Sequence, residues 1–269
     1  MKRLRPLLGT YVGIEVEDLA PAHAAAAVDA AFAAIERVHR LMSVHRRDSD
    51  ISRLNRDAWR HPVALHPWTS RTLRWALAIH AATDGLFDCA VGHELHAAGL
   101  LEECGLDHVV RGSLADVELL ADGRCRFARR LGLDFGGIAK GFAVDRAIAT
   151  LRRHGARSAV VDAGGDMRMI GAAPRPIHVR DPADARRHHV AGLLTNGAIA
   201  TSTAASRALL CARTRTPLRG DRAYSVLAPT CIAADALTKV VAQTGHTDAP
   251  WLARFGATAL ITAPCALAA

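Results

Sequence analysis

The residues from Leu133 to Asp145 combine several groups that suit a phosphate-bearing ligand. The run contains an acidic residue, a glycine pair and a lysine, and then becomes helical. Glycines let a ligand approach the backbone closely, and the unpaired N–H groups at a helix start favour phosphate. Lys140 adds a positive charge, and Asp134 offers an acceptor for a ring N–H. These residues suit a nucleotide with a polar ring and phosphates, although an ordinary turn before a helix has the same pattern.

Two further groups fit the same chemistry. A second glycine pair, Gly164-Gly165, follows a short apolar segment; alone it is typical of a tight turn, but with the first pair it favours a phosphate cleft. Asp235 and Thr238 are three residues apart in a helical pattern and offer oxygen ligands suited to Mg²⁺. Both lie on the side of this helix that the pattern predicts to be polar. The alternative, which the local pattern favours, is a solvated helix face on which Asp235 pairs with Lys239.

Several common catalytic patterns are absent from the sequence. The 14 histidines include His93 and His96, but the zinc-binding spacing H-E-x-x-H is not met. None of the six cysteines forms a C-x-x-C pair, so we expect scattered buried thiols rather than a metal cluster. There is no Walker A motif, no G-x-S-x-G elbow and no G-x-G-x-x-G fingerprint, which argues against a P-loop, an α/β-hydrolase and a Rossmann site.

The composition predicts a globular protein that attracts anions. Half of the 269 residues are hydrophobic and 22% are charged, which is typical of a chain with a substantial core. The net charge is +8, mostly from arginine, and suits phosphates or acidic partners. Aromatic residues make up only 4% of the chain and no basic recognition helix is seen, so nucleic acid is not an expected partner.

The sequence gives no sign of a membrane segment. No run of 18 apolar residues occurs, so no membrane span is expected. The N-terminal residues lack an apolar segment of signal-peptide length. As the sequence is written, we expect a cytoplasmic protein, or a periplasmic one if the start of the chain is mis-assigned.

Hydrophobic periodicity predicts a mixture of strands and helices. Predicted strands cover residues 11–17, 158–162, 177–180, 224–227 and 257–262. Predicted helices cover residues 28–42, 70–82, 137–153 and 232–243. The polar segments 181–190 and 204–222 are predicted to be loops. The irregular alternation of strands and helices favours an α+β (mixed α/β) fold with mixed sheets packed against helices, and we expect one domain over residues 1–269.

The order of the motifs along the chain resembles one known family. The motifs lie at residues 8–12, 41–45, 48–55, 84–88, 134–145, 162–166, 200–202 and 234–238. In this order the sequence is similar to the ApbE family, the FAD:protein FMN transferases. The likeness covers nearly the whole chain, and the combined order is specific although each motif alone is weak.

The resemblance implies an ApbE-like fold and an enzyme that binds FAD and uses Mg²⁺. It implies transfer of the FMN moiety to a threonine or serine hydroxyl of an acceptor protein, with release of AMP. The positions implied to contact FAD are Met42, Leu86, Phe87, Asp88, Asp134 and Lys140. The implied metal ligands are the backbone of Gly137 and the carboxylate of Asp235.

The chain departs from the family pattern at two places. Lys239 lies where the family usually has a metal-binding threonine. Its ammonium would replace part of the metal's charge and weaken Mg²⁺ binding. Alternatively, Thr238 would become a metal ligand instead. Residues 208–215 keep Arg213 and Thr214 of the family's His-x-x-Asp-Pro-Arg-Thr-Gly stretch but lack its histidine, aspartate and proline. That histidine is suited to act as a base for the acceptor hydroxyl. The alternative function is therefore a FAD-binding protein that stores or senses flavin.

Overall fold

The computed structural model describes residues 1–101, 106, 108–182, 184, 186–203 and 209–264. The strands are β1 (Lys2–Leu7), β2 (Thr10–Val16), β3 (Val63–Ala64), β4 (Val117–Leu119), β5 (Arg124–Phe127), β6 (Ala159–Ala163), β7 (Met167–Ile170), β8 (Arg175–Arg180), β9 (His188–Leu194), β10 (Gly197–Thr203), β11 (Ala223–Ala228) and β12 (Thr258–Thr262). The helices are α1 (Pro21–Met42), α2 (Asp50–Asp57), α3 (Pro67–Ala82), α4 (Gly92–Ala97), α5 (Ala139–Arg153), α6 (Cys231–Thr244) and α7 (Pro250–Arg254). The α+β fold class predicted from the sequence is confirmed.

A seven-stranded antiparallel sheet forms the centre of the described structure. Its strand order is β1-β2-β6-β7-β10-β11-β12, and two small antiparallel sheets have the orders β3-β5-β4 and β8-β9. Helices α1, α5 and α6 pack on one face of the large sheet. Strand β2 shows the resulting asymmetry, because Val12, Ile14 and Val16 are buried while Tyr11 is 66% exposed.

The predicted helices and strands are confirmed as α1, α3, α5, α6, β2, β6, β8, β11 and β12. The loop prediction for residues 181–190 is wrong at its end, since β9 begins at His188 and pairs with β8. Residues 204–208 of the second predicted loop lie outside the described residues. The rest of that segment contains one bridge, between Leu210 and Pro217.

A close contact between α5 and α6 fixes the relative position of two helices that carry site residues. A Cβ added to Gly141 would lie 2.3 Å from the carbonyl oxygen of Cys231 and 2.8 Å from Cβ of Asp235. The Asp145 carboxylate accepts hydrogen bonds of 2.9 Å from the N–H groups of Cys231 and Ile232. An acid on α5 therefore caps the start of α6, where unpaired N–H groups need an acceptor.

Three of the four cysteines in the described part of the chain are buried free thiols, as the sequence predicts. Cys89, Cys125 and Cys231 are buried free thiols, and Cys211 is partly buried. Cys104 and Cys265 lie outside the described residues. Among the described helices, none is both long enough and apolar enough to cross a bilayer.

Candidate functional site

Two cavities meet at the loop between Asp134 and Lys140. The first, here called the lysine cavity, has a volume of about 340 Å³ and is lined by Lys140 and Lys239 among others. The second, here called the apolar cavity, has a volume of about 580 Å³. Asp134, Gly136 and Lys140 line both cavities. Each volume is within the range of about 300–1,000 Å³ that is usual for small-molecule sites.

The backbone at the start of this loop is held by hydrogen bonds from two directions. The buried Asn55 side chain of α2 accepts from the Leu133 N–H at 2.7 Å and donates to the Leu133 carbonyl at 2.9 Å. The Asp134 N–H donates to the Cys89 carbonyl at 2.9 Å. A Cβ on Gly136 would lie 2.8 Å from the Asp134 carboxylate, so a glycine is needed where the loop folds back. The position of Asp134 between the cavities is therefore fixed.

Asp134 lines both cavities, and its carboxyl group has a raised pKa. In the described part of the chain, its carboxylate accepts one hydrogen bond, from the Gly136 N–H at 3.2 Å. Burial raises the pKa of this carboxyl, and the Gly136 hydrogen bond and the nearby His45 lower it only in part. The remaining acceptor capacity is available to a ligand N–H.

Four charged side chains form a group here called the charge cluster: Lys140, Asp166, Asp235 and Lys239. The Lys140 ammonium donates to Asp166 at 2.6 Å. The Lys239 ammonium donates to the Asp235 carboxylate and, at 2.8 Å, to the Asp235 carbonyl. The other carboxylate oxygen of Asp235 accepts the Gly141 N–H at 2.9 Å. Both carboxylates are buried, so the two ammonium groups supply the charge that their burial requires.

The two carboxyls of the charge cluster have different proton affinities. Burial and the neighbouring Asp235 carboxylate raise the pKa of Asp166 to about 6, although Lys140 and Lys239 act against the shift. Burial also opposes ionisation of Asp235, but the attraction of Lys239 and Lys140 outweighs it and lowers the pKa of Asp235. Asp235 is therefore the more firmly ionised of the two.

The expectation that Asp235 and Thr238 lie on a solvated helix face is wrong. Both residues are fully buried, with 0% of their surface exposed. Helix α6 packs against β10 and β11 as well as α5, so its polar side is covered by the sheet. The Thr238 hydroxyl donates to the Asp235 carbonyl at 2.7 Å and lies 2.8 Å from the Ser202 hydroxyl of β10. Since Thr238 has a single hydroxyl hydrogen, Ser202 is the donor in that pair.

Of the predicted metal ligands Gly137, Asp235 and Thr238, the first two lie against the side chain of Lys239, and the Thr238 hydroxyl is bonded to the Asp235 carbonyl and Ser202. A Cβ on Gly137 would lie 3.5 Å from Cε of Lys239. Both carboxylate oxygens of Asp235 are already engaged, one by this ammonium and one by the Gly141 N–H. No group of three or more His, Cys, Asp or Glu residues in the described ranges is arranged to hold a metal. The residues present do not fit Mg²⁺ at this place.

The residues predicted to contact FAD line the two adjacent cavities. Leu86, Phe87 and Asp88 line the lysine cavity. Met42 lines the apolar cavity, on the other side of the Asp134 loop, and is only 3% exposed. The structure therefore places Met42 apart from the other predicted contacts, but within reach of one elongated ligand.

Two residues that position this site were not predicted. Arg215 donates to the buried Asp88 carboxylate at 3.1 Å and to the Gly112 carbonyl at 2.9 Å. It lies where the family usually has a glycine, so the sequence carried no signal for it. Gln243 donates to the Leu86 carbonyl at 2.8 Å. Gln243 follows Lys239 by one helical turn, so helical spacing could have predicted it to lie on the same side of α6 as Lys239.

The ApbE family model matches residues 8–261 of this sequence. The chain belongs to the ApbE family. This ApbE-family chain is 29% identical over 147 residues to the FAD:protein FMN transferase of Vibrio cholerae, a match that covers 51% of this chain and 44% of that protein. It is 29% identical over 192 residues to the FAD:protein FMN transferase of Treponema pallidum, a match that covers 63% and 51% of the two chains. The chain spans about half the length of the curated relatives it matches.

Solved ApbE structures share the fold over almost the whole chain. The ApbE protein of Thermotoga maritima superposes with a TM-score of 0.82 at 25% identity, covering 97% of this chain and 93% of that one. The flavin transferase ApbE of Vibrio cholerae superposes with a TM-score of 0.80 at 21% identity, covering 97% and 92%. The ApbE-like fold implied by the sequence resemblance is confirmed.

Proposed function

We propose that this ApbE-family protein transfers the FMN moiety of FAD to a threonine or serine hydroxyl of an acceptor protein and releases AMP. The observation that carries the proposal is the pair of adjacent cavities that share Asp134, Gly136 and Lys140 in their linings. FAD consists of two ring systems joined by a diphosphate, and two adjacent cavities with charged residues between them match that shape. The names of the curated relatives support the same activity.

The proposed orientation follows from the character of the two cavities. The apolar cavity is lined by Val38, Met42, Val44 and other apolar side chains, which suits the flavin ring. The Asp134 carboxylate would accept a hydrogen bond from a flavin ring N–H at the mouth of the apolar cavity. The diphosphate would lie at Lys140 and Lys239, which both line the lysine cavity. The rest of FAD would extend along the lysine cavity.

The reaction then requires positioning and charge stabilisation more than covalent chemistry by the protein. The acceptor hydroxyl oxygen bonds to the phosphorus of the FMN half, and the bond between that phosphorus and the AMP oxygen breaks. The AMP oxygen keeps the electron pair, and the hydroxyl proton passes to water. Lys140 and Lys239 stabilise the negative charge that develops on the phosphate oxygens.

The proposed reaction does not include the Mg²⁺ that the resemblance implies. Any Mg²⁺ held at Gly137, Asp235 and Thr238 would have to displace the Lys239 ammonium. No step is therefore assigned to a metal.

A third cavity supports a route for the acceptor. It has a volume of about 440 Å³ and shares Thr201 and Thr203 with the lysine cavity. His178, Arg180 and His188 line it and are exposed. Its lining carries one permanent cation, Arg180, and one carboxylate, Asp162, so an acceptor segment would meet a polar surface without net charge.

The test is incubation with FAD and the acceptor protein of a curated relative, followed by in-gel flavin fluorescence, mass spectrometry and assay of AMP. We expect a fluorescent acceptor whose mass increases by one FMN moiety, and no labelling when its threonine or serine is replaced by alanine. The alternative, a protein that stores or senses FAD, is favoured by the missing family histidine, whose position, Ala208, lies outside the described residues. Tight FAD binding without labelling or AMP would favour that alternative.

A further inference from the structure

The Lys239 ammonium is paired with Asp235 and its side chain lies beside Gly137, the two residues to which the resemblance assigns a metal ion. It donates to the carboxylate and the carbonyl of Asp235 and lies against Gly137. The side chain is only 19% exposed, so its aliphatic part is packed inside the site. A fixed organic cation therefore already lies among the groups that would otherwise bind a divalent one.

The charge cluster contains equal numbers of positive and negative groups. Its two carboxylates, Asp166 and Asp235, are each paired with one ammonium group. When all four groups are ionised the cluster is neutral, so it offers no net negative charge to a divalent cation. A metal near Asp235 would also be repelled by Lys239 and Lys140 at short range. Mg²⁺ further needs near-octahedral oxygen ligands and loses its water reluctantly.

Lysine is rare in this chain. Of the 34 basic residues only Lys2, Lys140 and Lys239 are lysines. Two of the three belong to the charge cluster, while Lys2 lies at the surface with 77% of its side chain exposed. An ammonium is a compact point charge with three N–H donors, unlike the planar guanidinium. Among the described residues, Lys239 has acceptors only on Asp235, two in number, so its third N–H is available to a ligand in the lysine cavity.

We propose that Lys239 takes the role of the divalent cation, so that FAD binding and flavin transfer need no Mg²⁺. This inference rests on the proposed function. The Lys239 ammonium binds the diphosphate of FAD. During transfer, as the bond to the AMP oxygen breaks and the acceptor oxygen bonds to phosphorus, the same ammonium stabilises the charge that collects on the phosphates.

The test is the metal dependence of FAD binding, measured by calorimetry on the full chain in EDTA and in excess Mg²⁺. We expect the wild-type affinity to be the same in both buffers, and a titration with Mg²⁺ alone to give no saturable heat. In Lys239→Thr, FAD affinity in EDTA should fall by about tenfold or more, as for one lost charge-assisted hydrogen bond, and Mg²⁺ should restore it. Lys2→Thr is the matched control and should behave as the wild type.

Saturable Mg²⁺ binding by the wild type, or FAD affinity that falls in EDTA, would overturn the inference, and neither result depends on a variant. If Lys239→Thr fails to fold, Lys239→Gln gives the same comparison with a side chain of similar length. Transfer assays in both buffers separate the two proposals. Transfer that occurs only with Mg²⁺ overturns this inference and leaves the transferase intact. Metal-independent FAD binding without transfer in either buffer overturns the transferase but supports the role of Lys239 in binding.

Discussion

Asp134 is a carboxyl group whose charge is costly to the folded protein. Within the described residues it has no ion pair, and burial raises its pKa. For a carboxyl whose pKa is raised by folding, the contribution to stability is fully present below the unfolded pKa and is lost as the pH rises through the folded pKa. At neutral pH this charge therefore lowers the free energy of unfolding, as is common for residues retained for binding.

We expect Asp134→Asn to be more stable than the wild type at neutral pH, with the difference shrinking as the pH falls. The same variant should bind FAD about tenfold more weakly, since a hydrogen bond to a charged acceptor contributes about 1.5–3 kcal/mol. Urea denaturation over an acidic-to-neutral pH series and calorimetry with FAD measure the two effects. Asp48→Asn, at a carboxylate 73% exposed, is the control. A less stable variant with unchanged FAD affinity would contradict this account.

Arg215 is the only described side chain that forms a hydrogen-bonded ion pair with the buried Asp88. We expect Arg215→Ala to lower the free energy of unfolding by about 3–5 kcal/mol, because it leaves a buried carboxylate without its cation. Adding Asp88→Asn to that variant should recover part of the loss. The neighbouring, exposed Arg213 provides a control, and Arg213→Ala should change stability by less than about 0.5 kcal/mol. Equal effects of the two arginine variants, in chemical denaturation, would argue against the pair.

At the scale of helices, the contact between α5 and α6 sets the distance between the two halves of the charge cluster. On helix propensity alone, Gly141→Ala should stabilise α5 by about 1 kcal/mol. We expect the opposite, a loss of about 1–3 kcal/mol or more, because the new Cβ would lie 2.3 Å from a backbone oxygen of α6. FAD affinity should fall as well, since Lys140 and Asp235 move apart. In Gly13→Ala the new Cβ would lie 3.5 Å from a Leu4 methyl group, so little change is expected in the same denaturation and calorimetry experiments.

Whether an element could be predicted from the sequence depended in part on how many of its sides are buried. Strand β2 alternates because only one of its faces meets the helices. Strand β10 was not predicted because its first four residues are all buried, which removes the alternation. Helix α6 was predicted, but its polar side was taken as solvated because no local pattern shows that Ser202 of β10 lies against Thr238.

The same distinction holds for the site. The motif around Asp134 and Lys140 was identified because its glycines, acid and lysine are close in sequence. The partner of Lys140 is Asp166, 26 residues away, and the partner of Asp88 is Arg215, 127 residues away. Such pairs form only when the sheet brings distant segments together, so local spacing carries no information about them.

For the whole molecule, binding of a ligand that spans both cavities should raise the thermal unfolding midpoint. At about 100 times its Kd, a ligand that binds only the folded state stabilises it by about 2.7 kcal/mol. At equal concentrations we expect FAD to raise the midpoint more than FMN or AMP, because each fragment fills one lobe only. NADH, which has the diphosphate and adenosine but no flavin, is the matched control and should raise the midpoint less than FAD, because it leaves the apolar cavity without a flavin ring. Equal shifts with FAD and FMN would show that the adenylate half makes no contact.

The long sequence separations within the site also affect the rates of folding and unfolding. Asn55 and Leu133 are 78 residues apart, and Gly141 and Asp235 are 94 residues apart. Contacts of this kind close large loops and form slowly during folding. A ligand that recognises only the completed site stabilises the native state and not the transition state, so it slows unfolding without accelerating folding. In stopped-flow experiments, FAD should therefore prolong the lifetime of the native protein while the refolding rate stays the same.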